Sequence, residues 1–218
     1  MWWRSKTSIK TEGMKVHVKY DTLNLNSGHK EQATDAVVMA REFMQVAIRC
    51  MANRDTMDAR AKALAAYYFK TSPQGPTQVE FNLIKSTLEL IHNGINANIS
   101  VKFVNKEHVA GYINPYKHWG AKSHHTKVTN QMTGKTRKRG DIHLGINALR
   151  QEGGIAAMVF IHEASHKFAG TADFGERGYT WVEDGTFRDE GLTKVEAFNN
   201  AESYGRFVMH LAYGGGPV

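Results

Sequence analysis

The strongest constraint in this sequence is a short apolar run followed directly by three residues, two histidines and a glutamate, of the types that bind metals. Residues 155–161 are the longest apolar run of the chain, and His162-Glu-Ala-Ser-His166 follows at once. The pattern predicts a helix from about residue 154 to residue 168, ended by Gly170. Burying unpaired polar groups is costly. A core helix with these residues therefore indicates a functional site rather than a surface helix with incidental histidines.

The spacing of the two histidines predicts one shared metal ion. Residues four apart lie on the same face of a helix, so the imidazoles of His162 and His166 can bind a single Zn²⁺. The carboxylate of Glu163 then lies beside the open coordination position. A zinc-bound water has a pKa near neutrality, and a neighbouring glutamate can take its proton as the water attacks a carbonyl. The motif therefore predicts a hydrolase with Glu163 as general base.

A third protein ligand is needed for a tetrahedral catalytic zinc site. No third histidine follows His166 at the spacing of the metzincins. Instead, Gly170-Thr-Ala-Asp173 places a carboxylate seven residues after His166. A glycine at the helix end lets the chain turn back, so the sequence predicts Asp173 as the third zinc ligand.

Three segments of the chain resemble the aspzincin metalloendopeptidases, the family of deuterolysin and the peptidyl-Lys endopeptidases. Residues 162–173 are similar to the family's H-E-x-x-H and G-T-x-D motifs, residues 142–145 to its I-x-L-G strand, and residues 199–204 to its N-A-D-S-Y helix. The resemblance spans about residues 30–212. It implies a zinc-dependent endopeptidase with an α+β fold: a zincin-like metalloprotease domain with a helical N-terminal half, a small sheet, an active-site helix and a C-terminal helix.

This chain departs from the family pattern at the tyrosine that stabilises the tetrahedral intermediate. Family members carry it three residues after the aspartate, where this chain has Glu176. A short insertion would let Tyr179 serve in that role, and the resemblance therefore implies Tyr179 as a catalytic residue. Tyr204 is the alternative, although helix packing is the simpler interpretation of that side chain.

An acidic pocket for a lysine side chain is only half present. Glu202 matches the first acidic position of the peptidyl-Lys branch and is therefore a predicted substrate-binding residue, but Gly205 stands where the second acid is expected. Ile142 and Leu144 are predicted substrate-binding residues as well. They lie in a short strand, 141–144, that we expect to pair with an extended peptide or simply to be an edge strand.

The basic charge of the chain is concentrated in residues 115–140. This segment holds seven lysines and arginines and no acidic residue, which equals the whole formal net charge of +7. Its composition predicts a long mobile loop that is solvated surface, recruits substrate, or regulates the site. The alternative function is a non-catalytic module that binds nucleic acid or another anionic partner. Tyr116 and Trp119 are too few for a stacking platform, so nucleic acid is disfavoured.

Other residues have weaker interpretations. His118, His124 and His125 could form a second metal site, but a solvated loop is favoured. Cys50 cannot form an intramolecular disulfide because it is the one cysteine, and we expect it in the core. The sequence does not decide whether Trp2 and Trp3 dock on a partner.

The domain prediction is an N-terminal extension, residues 1–29, with a short strand at 14–20, followed by a single catalytic domain, residues 30–218. The periodicity predicts helices at about 31–51, 55–70, 76–93 and 192–211. It also predicts strands at about 99–104 and 109–113.

The last expectations concern localisation and partners. The N-terminus lacks the apolar region of a classical signal peptide, and no stretch is long enough to insert into a membrane. We expect synthesis in the cytoplasm and, from the resemblance and these missing features, export by a specialised secretion machine as a bacterial toxin or effector. The predicted partners are a protein or peptide substrate and a cognate inhibitor or immunity protein.

Overall fold

Three helices form the N-terminal half of the computed structural model, which describes residues 5–11, 14–20, 27–97, 99–104, 110–115, 126–145, 147–148 and 154–217. They are α1 (Ser27–Cys50), α2 (Ala59–Phe69) and α3 (Gln78–Asn96), close to the predicted bounds. Side chains fix their starts. Asp58 accepts a hydrogen bond from the Ala61 amide, and Thr77 forms a capping box with Glu80.

Six strands form one mixed sheet in the described residues. They are β1 (Ser5–Thr11), β2 (Met14–Tyr20), β3 (Ile99–Val104), β4 (Gly111–Pro115), β5 (Thr126–Thr129) and β6 (Thr136–Gly145). Their order is β1-β2-β3-β6-β4, and β5 pairs with the N-terminal part of β6. The N-terminal segment thus contains two strands where one was expected, and β2 joins the sheet parallel to β3. The division at residue 29 stays a prediction.

The strand that carries Ile142 and Leu144 lies inside the sheet, so the expectation of an edge strand there was wrong. Ile142 of β6 is in register with Val101 on one side and with Ile113 on the other. The side chains of Ile142 and Leu144 are fully buried. Both backbone edges at these residues are occupied, which excludes pairing with a substrate. The outer strand on this side is β4.

Much of the predicted basic loop is regular structure. Residues 126–145 form an antiparallel β5–β6 hairpin whose turn includes Asn130 and Gly134. Alternating basic residues favour neither helix nor strand clearly, which is why composition suggested a loop. Residues 116–125 of the predicted loop lie outside the described residues.

The helix α4 (Ile155–Phe168) packs between the sheet and the other helices, and 12 of its 14 residues are buried. The predicted helix at 192–211 is instead two helices, α5 (Lys194–Ala197) and α6 (Ala201–Tyr213). The break has a clear cause, because Ala172 takes backbone bonds that a continuous helix would use. Its amide donates to Asn199 O, and its carbonyl accepts from Ala201 N.

Aromatic side chains tie α6 to the helical half of the core. Phe69 of α2 lies within 5.7 Å, centroid to centroid, of the rings of Phe198, Tyr204 and Phe207. Cys50 is half-buried at the end of α1 rather than in this core. Within the described residues, no helix combines the length and apolar character needed to cross a bilayer.

Candidate metal centre and active site

The helix α4 carries the three residues of the H-E-x-x-H motif at the bottom of a cleft. His162, Glu163 and His166 are buried, each less than a tenth exposed. The imidazole rings of the two histidines lie on the same face, 4.9 Å apart between centroids and nearly perpendicular. The packed helix therefore fixes both rings before any ligand binds.

A tight turn returns the chain from the end of α4 to these histidines. Gly170 has a φ of +71°, a left-handed conformation that favours glycine. The side chain of Asn130, in the β5–β6 turn, donates a 2.7 Å hydrogen bond to Gly170 O. The next residues are fixed by the bridge between Ala172 and Asn200. Together these contacts place Asp173 opposite the histidine pair.

The three predicted ligands converge on one point. Oδ1 of Asp173 lies 3.2 Å from Nε2 of His162 and 3.2 Å from Nε2 of His166. Ligand atoms about 2.0–2.1 Å from a tetrahedral zinc ion are about 3.3 Å from one another. In the described residues, this trio is the one group of three or more such side chains that can hold a metal. The donor set and its spacing therefore fit zinc.

The other nitrogen of each histidine has its own partner. Nδ1 of His162 lies 3.0 Å from Oε2 of Glu202, and Nδ1 of His166 lies 2.9 Å from Thr171 O. A proton on Nδ1 that is donated to an oxygen leaves the lone pair on Nε2, as a metal ligand requires. Such outer contacts orient both rings and make them better ligands.

The electrostatics of the site favour a cation between the ligands. Burial by itself lowers the pKa of His162, but hydrogen bonds to Asp173 and Glu202 outweigh it and raise that pKa to about 10. Burial by itself raises the pKa of Asp173, yet hydrogen bonds to the two histidines hold that pKa well below its usual range. Both shifts show that the carboxylates stabilise positive charge at this point.

Glu163 has the environment of a general base. Its Oε2 is buried and has no hydrogen-bond partner among the described residues. Burial raises the pKa of Glu163, while the charges of His162 and His166 lower it. The carboxylate also lies tightly against β4, because a Cβ added at Gly111 would be 2.8 Å from Oε1 of Glu163. The unpartnered oxygen is therefore held beside the predicted metal position.

Glu202 lies behind the metal site, and its carboxylate is fully committed. Besides His162, it accepts a 2.5 Å hydrogen bond from the Thr180 hydroxyl and a 3.2 Å bond from Nε of Arg206. Burial raises the pKa of Glu202, but His162 and Arg206 hold it at about 2. The geometry supports a role in orienting His162, and the three hydrogen bonds differ from an open acidic pocket for a substrate lysine.

The absent second acid of the lysine pocket has a steric explanation. Gly205 lies where α6 crosses α4, and an added Cβ would be 3.1 Å from Sδ of Met158 and 3.4 Å from Cβ of His162. A longer acidic side chain would have to displace the metal-binding helix. Close packing of α4 and α6 therefore requires a small residue at this position.

The two tyrosines have different surroundings. Tyr179 lines the cleft, and its ring stacks parallel to the ring of His162 with centroids 6.1 Å apart. Burial and the charge of Asp173 raise its pKa above the usual value, so the hydroxyl stays protonated. Tyr204 is fully buried, and its hydroxyl donates to Phe198 O. Of the two, only Tyr179 lies at the cleft.

Two cavities of different character flank Glu163. One, of about 380 Å³, is lined by apolar side chains of α4 and by four charged side chains, those of Glu176, Arg188, Glu202 and Arg206. The other, of about 470 Å³, contains the three predicted ligands and the side chains of Ile113, Arg137 and Arg139. From the sequence, the two arginines belong to a basic segment that could recruit substrate, but their place in this cavity and the close approach of Gly111 depend on the sheet register.

Comparison with known proteins supports the fold. No protein-family model matches the sequence, and neither does any curated protein sequence. The fold is similar to the solved structure of a zinc peptidase from Grifola frondosa. The TM-score is 0.56 at 13% sequence identity, over 85% of this chain and 97% of that one. This similarity confirms the predicted α+β, zincin-like fold.

Several predicted features fall outside the described residues. His118, His124 and His125, the alternative metal site, are among them, as are Trp2, Trp3, Tyr116 and Trp119. The predictions for these residues are therefore not tested.

Proposed function

We propose that this protein is a zinc-dependent endopeptidase of the aspzincin type. His162, His166 and Asp173 would hold Zn²⁺, and Glu163 would be the general base. The observation that carries the proposal is the convergence of Asp173 Oδ1 and two histidine Nε2 atoms at 3.2 Å, next to the unpartnered buried oxygen of Glu163. The zinc peptidase fold supports the same chemistry.

Bound zinc would activate a water molecule and polarise the scissile carbonyl. Glu163 accepts the proton from the attacking water and then passes it to the leaving amine. Burial raises the pKa of Glu163, which favours uptake of the proton from the water in the first step. Glu202 and Thr171 O keep the two imidazoles in the orientation that this geometry needs.

Tyr179 would stabilise the negative charge that develops on the carbonyl oxygen. Its side chain borders both cavities, so it lies close to any peptide that crosses the site. A protonated hydroxyl can donate a hydrogen bond to the oxyanion. Tyr204 is not proposed for this role, since its hydroxyl is occupied in the core.

An extended substrate would pair with β4. One edge of this strand is paired with β6, and no described strand pairs with the other. Gly111 of β4 lies against Glu163, so a peptide added there passes directly over the catalytic carboxylate. Backbone pairing orients a peptide without reading most of its side chains. This site replaces the one expected at Ile142 and Leu144.

The cavity of about 380 Å³ would take an apolar side chain next to the cleaved bond. Ile155, Met158 and Val159 line it, together with Ala148 and Val182. The acidic group at its base, Glu202, is paired with Arg206 and accepts a hydrogen bond from His162. A preference for lysine, which the resemblance implies, stays a prediction that this arrangement does not favour.

The biological role is a proposal from the sequence alone. A protein or peptide substrate follows from the proposed chemistry. Export as a toxin or effector, and inhibition by an immunity protein, rest on the aspzincin resemblance.

The test is proteolysis of a denatured protein mixture, read by mass spectrometry of new peptide ends. We expect internal cleavage by the zinc-loaded protein, its loss on chelation with 1,10-phenanthroline, and its return when zinc is added. A protein that holds one zinc ion per chain and generates no internal cleavage would overturn the proposed function.

A further inference from the structure

Two arginines of β6 line the cavity that contains the predicted metal ligands. Arg137 and Arg139 are two residues apart on one strand, so they lie on the same face of the sheet. Both border the cavity of about 470 Å³, as do Asp173 and Glu163. This side of the cleft therefore carries two basic side chains next to the predicted metal ligands.

The guanidinium of Arg139 is only partly paired. Its Nε is buried and, among the described residues, makes no hydrogen bond. Burial and the neighbouring Arg137 lower its pKa, while the charges of Asp173 and Glu163 raise it. A buried donor on a cation is costly unless an acceptor binds it.

The carboxylates of Asp173 and Glu163 are not sufficient to balance the positive charge of the two arginines once zinc is bound. Asp173 would be a ligand of Zn²⁺ and Glu163 would act on the water, so both are committed during catalysis. With the zinc ion bound, two arginines and a dication outweigh these two negative charges. The cavity then favours a carboxylate that comes with the substrate.

We propose that Arg139, together with Arg137, binds an acidic side chain of the substrate, an aspartate or a glutamate. The inference rests on the proposed peptidase function and names the substrate class that this half of the cleft selects. A planar guanidinium with an unpartnered Nε donor is well suited to a carboxylate.

The sheet register also sets the position of the acidic residue relative to the cleaved bond. Pro115 of β4 is in register with Arg139, whereas Gly111, at the other end of β4, lies against Glu163. Antiparallel pairing is slightly more stable than parallel pairing. A peptide antiparallel to β4 runs from the Pro115 end towards the Gly111 end. The acidic side chain therefore lies on the N-terminal side of the cleaved bond.

The test compares kcat/KM for peptides that differ in one residue. Each of the positions just before the scissile bond is varied among glutamate, glutamine and lysine. We expect a glutamate peptide to be preferred over its glutamine counterpart by about tenfold at one of them, the effect of a charge-assisted hydrogen bond. The variant Arg139→Glu should reverse the preference towards lysine. If it does not fold, Arg139→Gln should abolish the preference.

Lys127→Glu is the matched control. It makes the same charge change in the same hairpin, at an exposed residue of β5. Lys127 is in register with Lys138, so it lies on the opposite face from Arg137 and Arg139. It should leave the glutamate preference unchanged. Equal preference in the control and in Arg139→Glu would overturn the inference.

Binding separates the inference from the proposed function. Fluorescence anisotropy of labelled glutamate and glutamine peptides on the Glu163→Gln protein reports recognition without turnover. Cleavage with equal rates for the two peptides overturns only the inference. Tighter binding of the glutamate peptide with no cleavage by the wild-type protein supports the inference and overturns the proposed function.

Discussion

Oε2 of Glu202 lies 3.0 Å from Nδ1 of His162, so a carboxylate on α6 orients a metal ligand on α4. The same carboxylate pairs with Arg206, one turn further along α6. Because Arg206 is itself buried, the three groups form a closed network that links the core to the metal site.

Replacing Glu202 with glutamine should weaken zinc binding. An amide NH₂ group cannot accept the proton of His162 Nδ1, whereas the amide oxygen can still accept from Thr180. We expect a loss of about 10- to 100-fold in zinc affinity, measured by competition with a chelator of known affinity. Glu190→Gln, on the exposed loop before α5, is the control. Equal zinc affinity in both variants would contradict a positioning role for Glu202.

Tyr179→Phe should lower kcat with little change in zinc content. Removing one donor to the oxyanion costs about 10²- to 10³-fold in comparable sites. The control Tyr204→Phe loses a buried hydrogen bond to Phe198 O, so its free energy of unfolding should fall by about 1 kcal/mol. Its kcat should stay close to that of the wild-type protein. If Tyr204→Phe lost kcat and Tyr179→Phe did not, the assignment would be wrong.

Gly111→Ala should impair catalysis through steric contact. The added Cβ would be 2.8 Å from Cγ and from Oε1 of Glu163, so the carboxylate must move. Displacement of a catalytic group by about 1 Å can cost about 100-fold in rate. Single-turnover cleavage measures the effect, and bound zinc should be unchanged. Ala52→Ser, at an exposed residue just after α1 that lines neither cavity of the cleft, should have normal rates.

His210 should make the fold less stable in acid. Burial, reinforced by Arg206 and Arg60, lowers its pKa from 6.5 to about 4. The unfolded chain therefore takes up a proton on His210 as the pH falls from 6.5 towards 4, before the folded protein does. Its contribution to the free energy of unfolding is present above pH 6.5 and is lost across this interval.

Urea unfolding of the zinc-free protein across the same interval measures this effect. The variant His210→Asn should show a shallower fall with decreasing pH, because it lacks the titrating group. His92→Asn, on the half-buried face of α3, should keep the wild-type slope. Identical slopes for His210→Asn and the wild-type protein would exclude this contribution.

The convergence of His162, His166 and Asp173 could be predicted from the sequence because its geometry is local. His162 and His166 are one helical turn apart, and Gly170 lets the next few residues return, so short-range rules suffice to bring Asp173 to the histidines. The resemblance added Tyr179, which the structure places at the cleft.

Features that depend on distant pairing could not be predicted in the same way. The alternation of apolar and polar residues around Ile142 predicts a strand, but not whether other strands pair with both of its edges. Likewise, the sequence shows a carboxylate at Glu202, but not that Thr180 and Arg206 donate hydrogen bonds to it. The break at Asn199 depends on Ala172, which is remote in sequence from the helix that it interrupts. Arg139 reaches the cleft only through the register of β6.

The rate at which zinc-loaded Glu163→Gln cleaves a denatured protein, relative to the wild-type protein, tests the central claim most directly. Both proteins should hold one zinc ion per chain, because Glu163 is not a ligand. We predict a rate lower by about 10²- to 10⁴-fold, as expected for loss of a general base. An equal rate in the two proteins, at equal zinc content, would contradict the assignment of Glu163 and of the site around it.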